Sequence, residues 1–277
     1  MMKKILNHIA IALFVISLAC ASALAQRSER ARGGSLSCND EGMFSDNETH
    51  CEVKEQTLPA TGGTVSVDGR ENGGVAVRGW ERNEILVRYR IQSRAPTQAE
   101  ADQLASQIRV DTAGAQIHAD GPERHDHYNW DVSYEVFVPY QSNLALEAHN
   151  GGIVVADVRG RIDVHTTNGG VVLKRVGGSV HGGTTNGGLV VDLDGSRWDG
   201  EGLDVKTSNG GVVLSVPDNY SAYLQTGTVN GNLVVSPSIA QVERRQRELS
   251  TNIGSGGAPV RIFTTNGGVV IKQKSAQ

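Results

Sequence analysis

The feature that most constrains the fold is a short motif that recurs along the second half of the chain. It is Asn-Gly-Gly followed by three apolar residues, and it begins at Asn150, Asn168, Asn186, Asn209 and Asn266, with an Asn-Gly-Asn variant at Asn230 and an early copy at Asn72. The first three copies of the second half are 18 residues apart, and glycines nine residues apart divide that spacing in two. Such a fixed period indicates a repeat architecture in which neighbouring units share one core.

The repeat spacing predicts the shape of each unit. Eighteen residues provide two short strands and two turns, and Asn and Gly tolerate the positive φ of sharp corners. We therefore predict a β-solenoid of stacked Asn-Gly-Gly coils over residues 147–274, with strands ~4.8 Å apart along the stack. A ladder of side-chain amides is expected at one corner, formed by Asn150, Asn168, Asn186, Asn209, Asn230 and Asn266. A meander of hairpins with type I′ Asn-Gly turns is the alternative.

The apolar triplet of each motif predicts two faces. Its first and third residues share one side of a strand and are expected to fill the core: Ile153, Val171, Leu189, Val212, Leu233 and Val269, with Val155, Leu173, Val191, Leu214, Val235 and Ile271. The middle residues point the other way and form a candidate binding face: Val154, Val172, Val190, Val213, Val234 and Val270. Strand propensity of valine, or cover by the first part of the chain, would explain the same residues without a partner.

Composition supports an all-β chain. Glycine accounts for 34 of 277 residues, and each helix-interior glycine would cost roughly 1 kcal/mol. Residues 57–146 are predicted to be a β-rich region, in which residues 132–138 alternate most clearly. One helix is expected near 97–109, because Pro96-Thr97 opens it and Ala101, Leu104, Ala105 and Ile108 fall on one face. The charged residues 241–248 are expected to form a loop or a short helix.

The N-terminus indicates export. Lys3 and Lys4 precede an apolar run over residues 9–21, and Ala23-Leu24-Ala25 has the small-x-small pattern of a cleavage site, so residues 1–25 read as a signal peptide. Lipidation of Cys20 is the less favoured alternative, since Ser17 stands where lipoprotein signals have Leu. We expect an exported protein in the periplasm, at the cell surface or secreted, with no transmembrane span after removal of the signal.

Residues 26–56 form an N-terminal segment with two cysteines. In an oxidising compartment Cys38 and Cys51 predict one disulfide, which closes a loop of polar residues. A metal site with His50 would lack a fourth ligand.

The sequence offers little chemistry. A net charge of −4 gives no basic footprint for nucleic acid. His125 and His127 lie in a polar stretch that reads as an exposed loop, and Asp192 and Asp194 read as solvated charges. We therefore predict no catalytic residue, no cofactor and no metal. A carboxylate pair of a β-helix enzyme cannot be singled out.

Taken together, the repeated motifs and residues 198–205 and 254–259 resemble the bacterial putative-adhesin domain family over roughly residues 51–272. That resemblance implies a β-solenoid-like fold and no catalytic residue, since the family has no established activity. Asn232 departs from the family pattern and suggests a different corner there. The expected role is a non-enzymatic envelope or cell-surface module, adhesin-like or structural, with an unknown surface, glycan or protein partner or with self-association. A periplasmic sensory or regulatory module is the alternative, and a β-helix carbohydrate-active enzyme is the third.

Overall fold

The computed structural model describes residues 36–38, 47–240 and 246–274. The predicted signal peptide, Cys20, most of the loop between Cys38 and Cys51, and residues 241–245 lie outside the described residues. Of the predicted loop or helix over 241–248, the last residue begins a strand.

The described part of the chain is mostly strand, as predicted. In chain order the elements are β1 (Glu48–Pro59), β2 (Thr64–Asp68), β3 (Val75–Trp80), β4 (Glu84–Ala95), α1 (Gln98–Ser106), β5 (Arg109–Asp111), a 3-10 turn (Ala113–Ala115), β6 (Gln116–Asp120), β7 (Asn129–Pro139), β8 (Asn143–Ala148), β9 (Ile153–Ala156), β10 (Arg159–Thr166), β11 (Val171–Lys174), β12 (Gly177–Thr184), β13 (Leu189–Asp192), β14 (Gly202–Asn209), β15 (Val212–Val216), β16 (Ala222–Asn230), β17 (Leu233–Val235), β18 (Glu248–Ile253), β19 (Pro259–Asn266) and β20 (Val269–Gln273).

The strands form two ten-stranded sheets that are parallel over most of their length. Sheet A has the order β1-β4-β7-β3-β9-β11-β13-β15-β20-β17, and sheet B has the order β18-β16-β19-β14-β12-β10-β8-β2-β6-β5. Antiparallel pairs occur at the ends, where β1, β4 and β7 pair in sheet A and where β5 and β18 border sheet B. This arrangement is consistent with a solenoid-like fold.

The two strands that flank each Asn-Gly-Gly motif lie in different sheets. β10 precedes Asn168 and belongs to sheet B, whereas β11 follows it and belongs to sheet A. Each strand pairs in parallel with the corresponding strand of the neighbouring repeat, as β11 does with β9 and β13. The motif therefore carries the chain from one sheet to the other, which is not the pairing of a hairpin meander.

The core lies between the sheets, and the alternation of the triplets explains it. The first and third residues of each triplet are buried, from Ile153 and Val155 at 0 % exposure to Leu233 at 9 %. Residues of sheet B such as Ile162, Val180 and Val260 belong to the same buried cluster. The core also includes β2 and β3, which pair in parallel with β8 and β9, so both sheets cross the predicted boundary at residue 147.

The last repeat is not added in chain order. β20 lies between β15 and β17, and β19 lies between β14 and β16. The chain therefore builds the outermost unit with β16 and β17, returns through β18, which pairs antiparallel with β16, and then fills the remaining layer. This return explains why Asn230 and Asn266 are 36 residues apart, twice the usual spacing of 18.

The helix forms where the sequence predicted it, although it ends three residues earlier. Thr97 is its N-cap: its hydroxyl accepts the Glu100 backbone N–H at 3.3 Å, and the Glu100 carboxylate accepts the Thr97 N–H at 3.1 Å. This capping box satisfies two backbone donors that would otherwise have no partner. Ala101 and Leu104 are buried, and the Ser93 hydroxyl of β4 donates to the Ala101 carbonyl.

The predicted disulfide between Cys38 and Cys51 is confirmed, with Cα atoms 5.7 Å apart. Cys51 lies in β1, the edge strand of sheet A. The bridge therefore ties the segment before the sheet to its outermost strand.

Replacing both cysteines with serine is expected to lower the free energy of unfolding by about 3 kcal/mol, because the bridge restricts the unfolded chain over a loop of about 14 residues. Urea unfolding of the oxidised protein and of the double variant measures the difference. An unchanged urea midpoint would contradict this role for the disulfide.

Candidate binding surface

The structure joins the asparagines of the motifs in one row of hydrogen bonds. Each side-chain amide donates to the amide oxygen of its neighbour: Asn150 to Asn72 at 3.0 Å, Asn168 to Asn150 at 2.9 Å, and then Asn186 to Asn168, Asn209 to Asn186, Asn266 to Asn209 and Asn230 to Asn266, each at 2.8 Å. All six asparagines that the sequence placed at one corner lie in this row. Asn72, which the sequence analysis left out of the ladder, is at its N-terminal end.

The first glycine of each motif permits a backbone contact that no other residue allows. A Cβ on Gly169 would lie 2.0 Å from the Gly151 carbonyl oxygen, and one on Gly187 would lie 2.0 Å from the Gly169 oxygen. The same near-contact, at 1.9 to 2.1 Å, recurs at Gly151, Gly210, Gly231 and Gly267. Any side chain here would separate neighbouring repeats, because its Cβ would collide with backbone atoms, which cannot rotate away.

The second glycine has more room, which explains the variant at Asn232. A Cβ on Gly188 or Gly211 would meet the nearest backbone oxygen at 3.7 Å, an ordinary contact distance, and one on Gly152 or Gly170 would meet it at 3.2 or 3.3 Å, still far from the 2.0 Å of the first glycine. Asn232 occupies this second position and is exposed. Gly231 and Asn230 keep the glycine contact and the amide bond of the other repeats. The expectation of a different corner at Asn232 is therefore wrong.

A buried row of threonines completes the corner, and the sequence analysis missed it. Thr184, two residues before Asn186, donates its hydroxyl to the Gly169 carbonyl at 2.7 Å, and Thr207 donates to the Gly187 carbonyl at 2.8 Å. The other members are Thr166, Thr228 and Thr264, each bonded to the first glycine of the preceding layer. The sequence does contain a sign of this row, because a threonine stands two residues before five of the motif asparagines.

Charged residues form the second turn of the unit, which follows the sheet A strand. Asp157 and Arg175 adopt positive φ of 61° and 51°, and the Arg175 guanidinium bonds both carboxylate oxygens of Asp157 at 2.5 and 2.7 Å. This bond raises the pKa of Arg175. The glycines that the nine-residue spacing assigned to this turn, Gly160 and Gly178, lie instead inside β10 and β12.

The middle valines form one continuous row on the outer face of sheet A. They are directly paired across neighbouring strands, in the order Val154, Val172, Val190, Val213, Val270 and Val234. The first four are half-buried, whereas Val270 is 39 % exposed and Val234 is 55 % exposed. No element of the described chain pairs with the free edge of β17, next to Val234.

The surface beside the valines is flat. The second glycines of the motifs lie two residues before the valines and therefore on the same side of the sheet. Gly152, Gly170, Gly188, Gly211 and Gly268 thus form a row without side chains along the valine row. We call these two rows together the flat face.

Charged groups border the flat face. Ala76 continues the valine row on β3, and its neighbour Glu135 on β7 is buried with its carboxylate 2.7 Å from the Arg88 guanidinium. On the far side of the valines lies a row with Lys174, Asp192 and Lys272. Asp192 is paired with the Lys274 ammonium at 2.5 Å. Polar groups therefore border the apolar rows on two sides, as at many interaction surfaces.

A model of the Toastrack DUF4097 family matches residues 42–272. The chain belongs to this family. The match spans both sheets and the disulfide-linked strand β1, in agreement with the extent of the sequence resemblance.

The Toastrack DUF4097 chain is also similar to solved structures at low identity. One is a putative cell adhesion protein from Clostridium sporogenes, with 9 % identity, a TM-score of 0.47, and cover of 81 % of this chain and 100 % of that chain. A putative adhesin from Parabacteroides distasonis has 7 % identity, a TM-score of 0.37 and cover of 80 % and 97 %. A putative lipid binding protein from the same species has 9 % identity, a TM-score of 0.34 and cover of 81 % and 97 %. A search of curated proteins finds no match.

The remaining candidate functional side chains of this Toastrack DUF4097 protein lie in different parts of the structure. His125 and His127 are exposed in a turn before β7, and Asp194 is exposed after β13. Within the described residues no group of three or more His, Cys, Asp or Glu side chains could hold a metal ion. In the same part of the chain, no helix has both the length and the apolar character needed to cross a membrane.

The two glycines of one motif are expected to differ in their tolerance of a methyl group. Gly187→Ala should lower the free energy of unfolding by about 3 kcal/mol, because its Cβ meets a backbone oxygen at 2.0 Å. Gly188→Ala, its matched control, should lower it by less than about 1 kcal/mol. Urea unfolding measures both, and equal losses would contradict the close contact.

The threonine row gives a second stability prediction. Thr207→Val keeps the shape of the side chain but leaves the Gly187 carbonyl without its hydroxyl donor, so the free energy of unfolding should fall by about 1–2 kcal/mol. Thr185→Val is the control, since Thr185 is exposed. Thermal or urea unfolding distinguishes them, and a Thr207 variant as stable as the control would contradict the argument.

Proposed function

We propose that this protein is a non-enzymatic, adhesin-like binding module built from stacked Asn-Gly-Gly coils of about 18 residues. The amide row, the glycine contacts and the parallel register all connect equivalent positions of neighbouring repeats, which supports one coil per motif. In this proposal the coils present the flat face. The partner offers a flat apolar surface, and a second copy of the protein is one such partner.

The observation that carries the proposal is the direct pairing of six valines beside a row of glycines. The valine row crosses six strands, or about 24 Å at the usual strand spacing. A continuous apolar row of that length, with charges at its borders, differs from single exposed valines, which are ordinary on protein surfaces. The regular repetition also favours an extended contact surface over a single reaction centre.

The disulfide supports a location outside the cytoplasm. Structural disulfides form and persist in oxidising compartments, and this bridge holds the edge strand of sheet A. We propose export to the periplasm, the cell surface or the medium, with residues 1–25 as the cleaved signal. A periplasmic module that recognises a partner protein is the second candidate, and the same flat face would be its contact surface.

The test changes three central valines, Val172, Val190 and Val213, to threonine. Threonine keeps the β-branched shape and strand propensity, so the fold should persist while the face becomes polar. We expect weaker retention on an octyl-coated matrix and, where the wild-type protein self-associates, a fall to the monomer mass in light scattering.

The matched control is Val53→Thr with Val229→Thr, because both valines are exposed and lie outside the valine row. This control should be retained like the wild-type protein. Equal retention and equal mass for all three proteins would refute the flat face as the contact surface.

A further inference from the structure

We propose that the outer face of sheet B carries a second site, which binds an extended oligosaccharide. This site is distinct from the flat face of sheet A and does not depend on the proposed function. It is formed by residues of β12, β14, β16 and β19, and its centre is Phe263 with Lys206.

Two depressions lie on this face because glycines occupy outward positions. Gly183 on β12 cannot carry a side chain, since a Cβ there would lie 1.8 Å from the Lys206 carbonyl oxygen. Gly227 on β16 is similarly restricted, because a Cβ there would lie 2.9 Å from the Arg247 carbonyl oxygen. The two glycines are three strand spacings apart, or about 14 Å. Both depressions are thus set by backbone contacts and remain open.

A ridge separates the depressions. Lys206 and Phe263 are direct neighbours on β14 and β19, and Phe263 is paired with Gly227 on its other side. Phe263 is half-buried and points outward, since Ile262 and Thr264 on either side of it are buried. The aromatic ring therefore lies between Lys206 and the glycine position of β16, in a depression that Val229 also lines.

Polar groups that are fixed by hydrogen bonds and ion pairs flank the ridge. The Arg261 guanidinium donates from Nε to the Gln225 amide oxygen at 2.7 Å, and one of its terminal nitrogens is 3.9 Å from the Asp204 carboxylate. These contacts orient donors and acceptors before any ligand binds, which lowers the entropy lost on binding. On the other side, Ser208 and Thr265 add exposed hydroxyls to the depressions.

These groups match the chemistry of a sugar chain. A pyranose ring presents C–H groups on its face, which pack against an aromatic ring, and hydroxyls around its edge, which bond to planar amide, carboxylate and guanidinium groups. The face carries both signs of charge, with Lys206 and Arg261 against Asp204, so it does not select a polyanion. A row of depressions and a ridge about 14 Å long suits several consecutive sugars better than one small molecule.

The test uses calorimetric titration of the purified protein with chitotetraose, cellotetraose and soluble glycan fragments of peptidoglycan. At least one probe should bind, and Phe263→Leu should weaken that binding about tenfold, because leucine keeps an apolar side chain beside Gly227 but loses the flat ring. Tyr223→Leu is the control, since Tyr223 lies on the same face of β16 but outside the two depressions. It should leave the affinity unchanged.

Circular dichroism of both variants checks that the fold is retained. The absence of binding by all three probes at millimolar concentration, or equal affinity for Phe263→Leu and the wild-type protein, would overturn the proposal. The triple valine-to-threonine variant should bind the probe like the wild-type protein, so failure of this site and failure of the flat face are separate results.

Discussion

The structure depends on one close contact. From the Asn150 motif onward, the α-carbon of the first glycine in each motif lies against the backbone carbonyl of the same glycine in the preceding layer. This contact sets how closely neighbouring layers approach at the corner. The other regular features follow from it, because only at that distance can amides of successive asparagines bond to each other and buried threonines reach the same carbonyls. Strand register on both sheets is then the same in every layer, so equivalent side chains form rows.

The sequence predicted the features that repeat and those that depend on local chemistry. Alternation within the triplets identified the buried residues. Pro96-Thr97 and the helical spacing of Ala101, Leu104, Ala105 and Ile108 indicated the helix, and the expected export implied the disulfide. Local rules did not predict the insertion of the last repeat, since the Asn266 motif resembles the others and its place depends on which layer is left unfilled. The antiparallel strands β1, β4 and β7 were also only partly predicted, because alternation does not specify the partner of a strand.

The same repeat produces two outer faces with different character. On sheet A the outward positions follow directly after the corner, where glycine and valine recur, and the surface is flat and apolar. On sheet B they precede the corner and vary from layer to layer, with Asp163, His181, Asp204 and Arg261 in one row. The corner and the core constrain the inward residues. Apart from outward glycines such as Gly183 and Gly227, whose Cβ would meet backbone atoms, the outer residues can vary from layer to layer.

The position of the last repeat has a consequence for how the molecule can be made. Because β19 and β20 fill an interior layer, the stack cannot grow simply from its N-terminal end as the chain emerges. The outermost layer, with β16 and β17, can pack against the stack only after the last ~30 residues are made. Otherwise it must first detach so that β19 and β20 can insert. Loss of the C-terminal segment would therefore remove a layer from the middle of the stack rather than from its end.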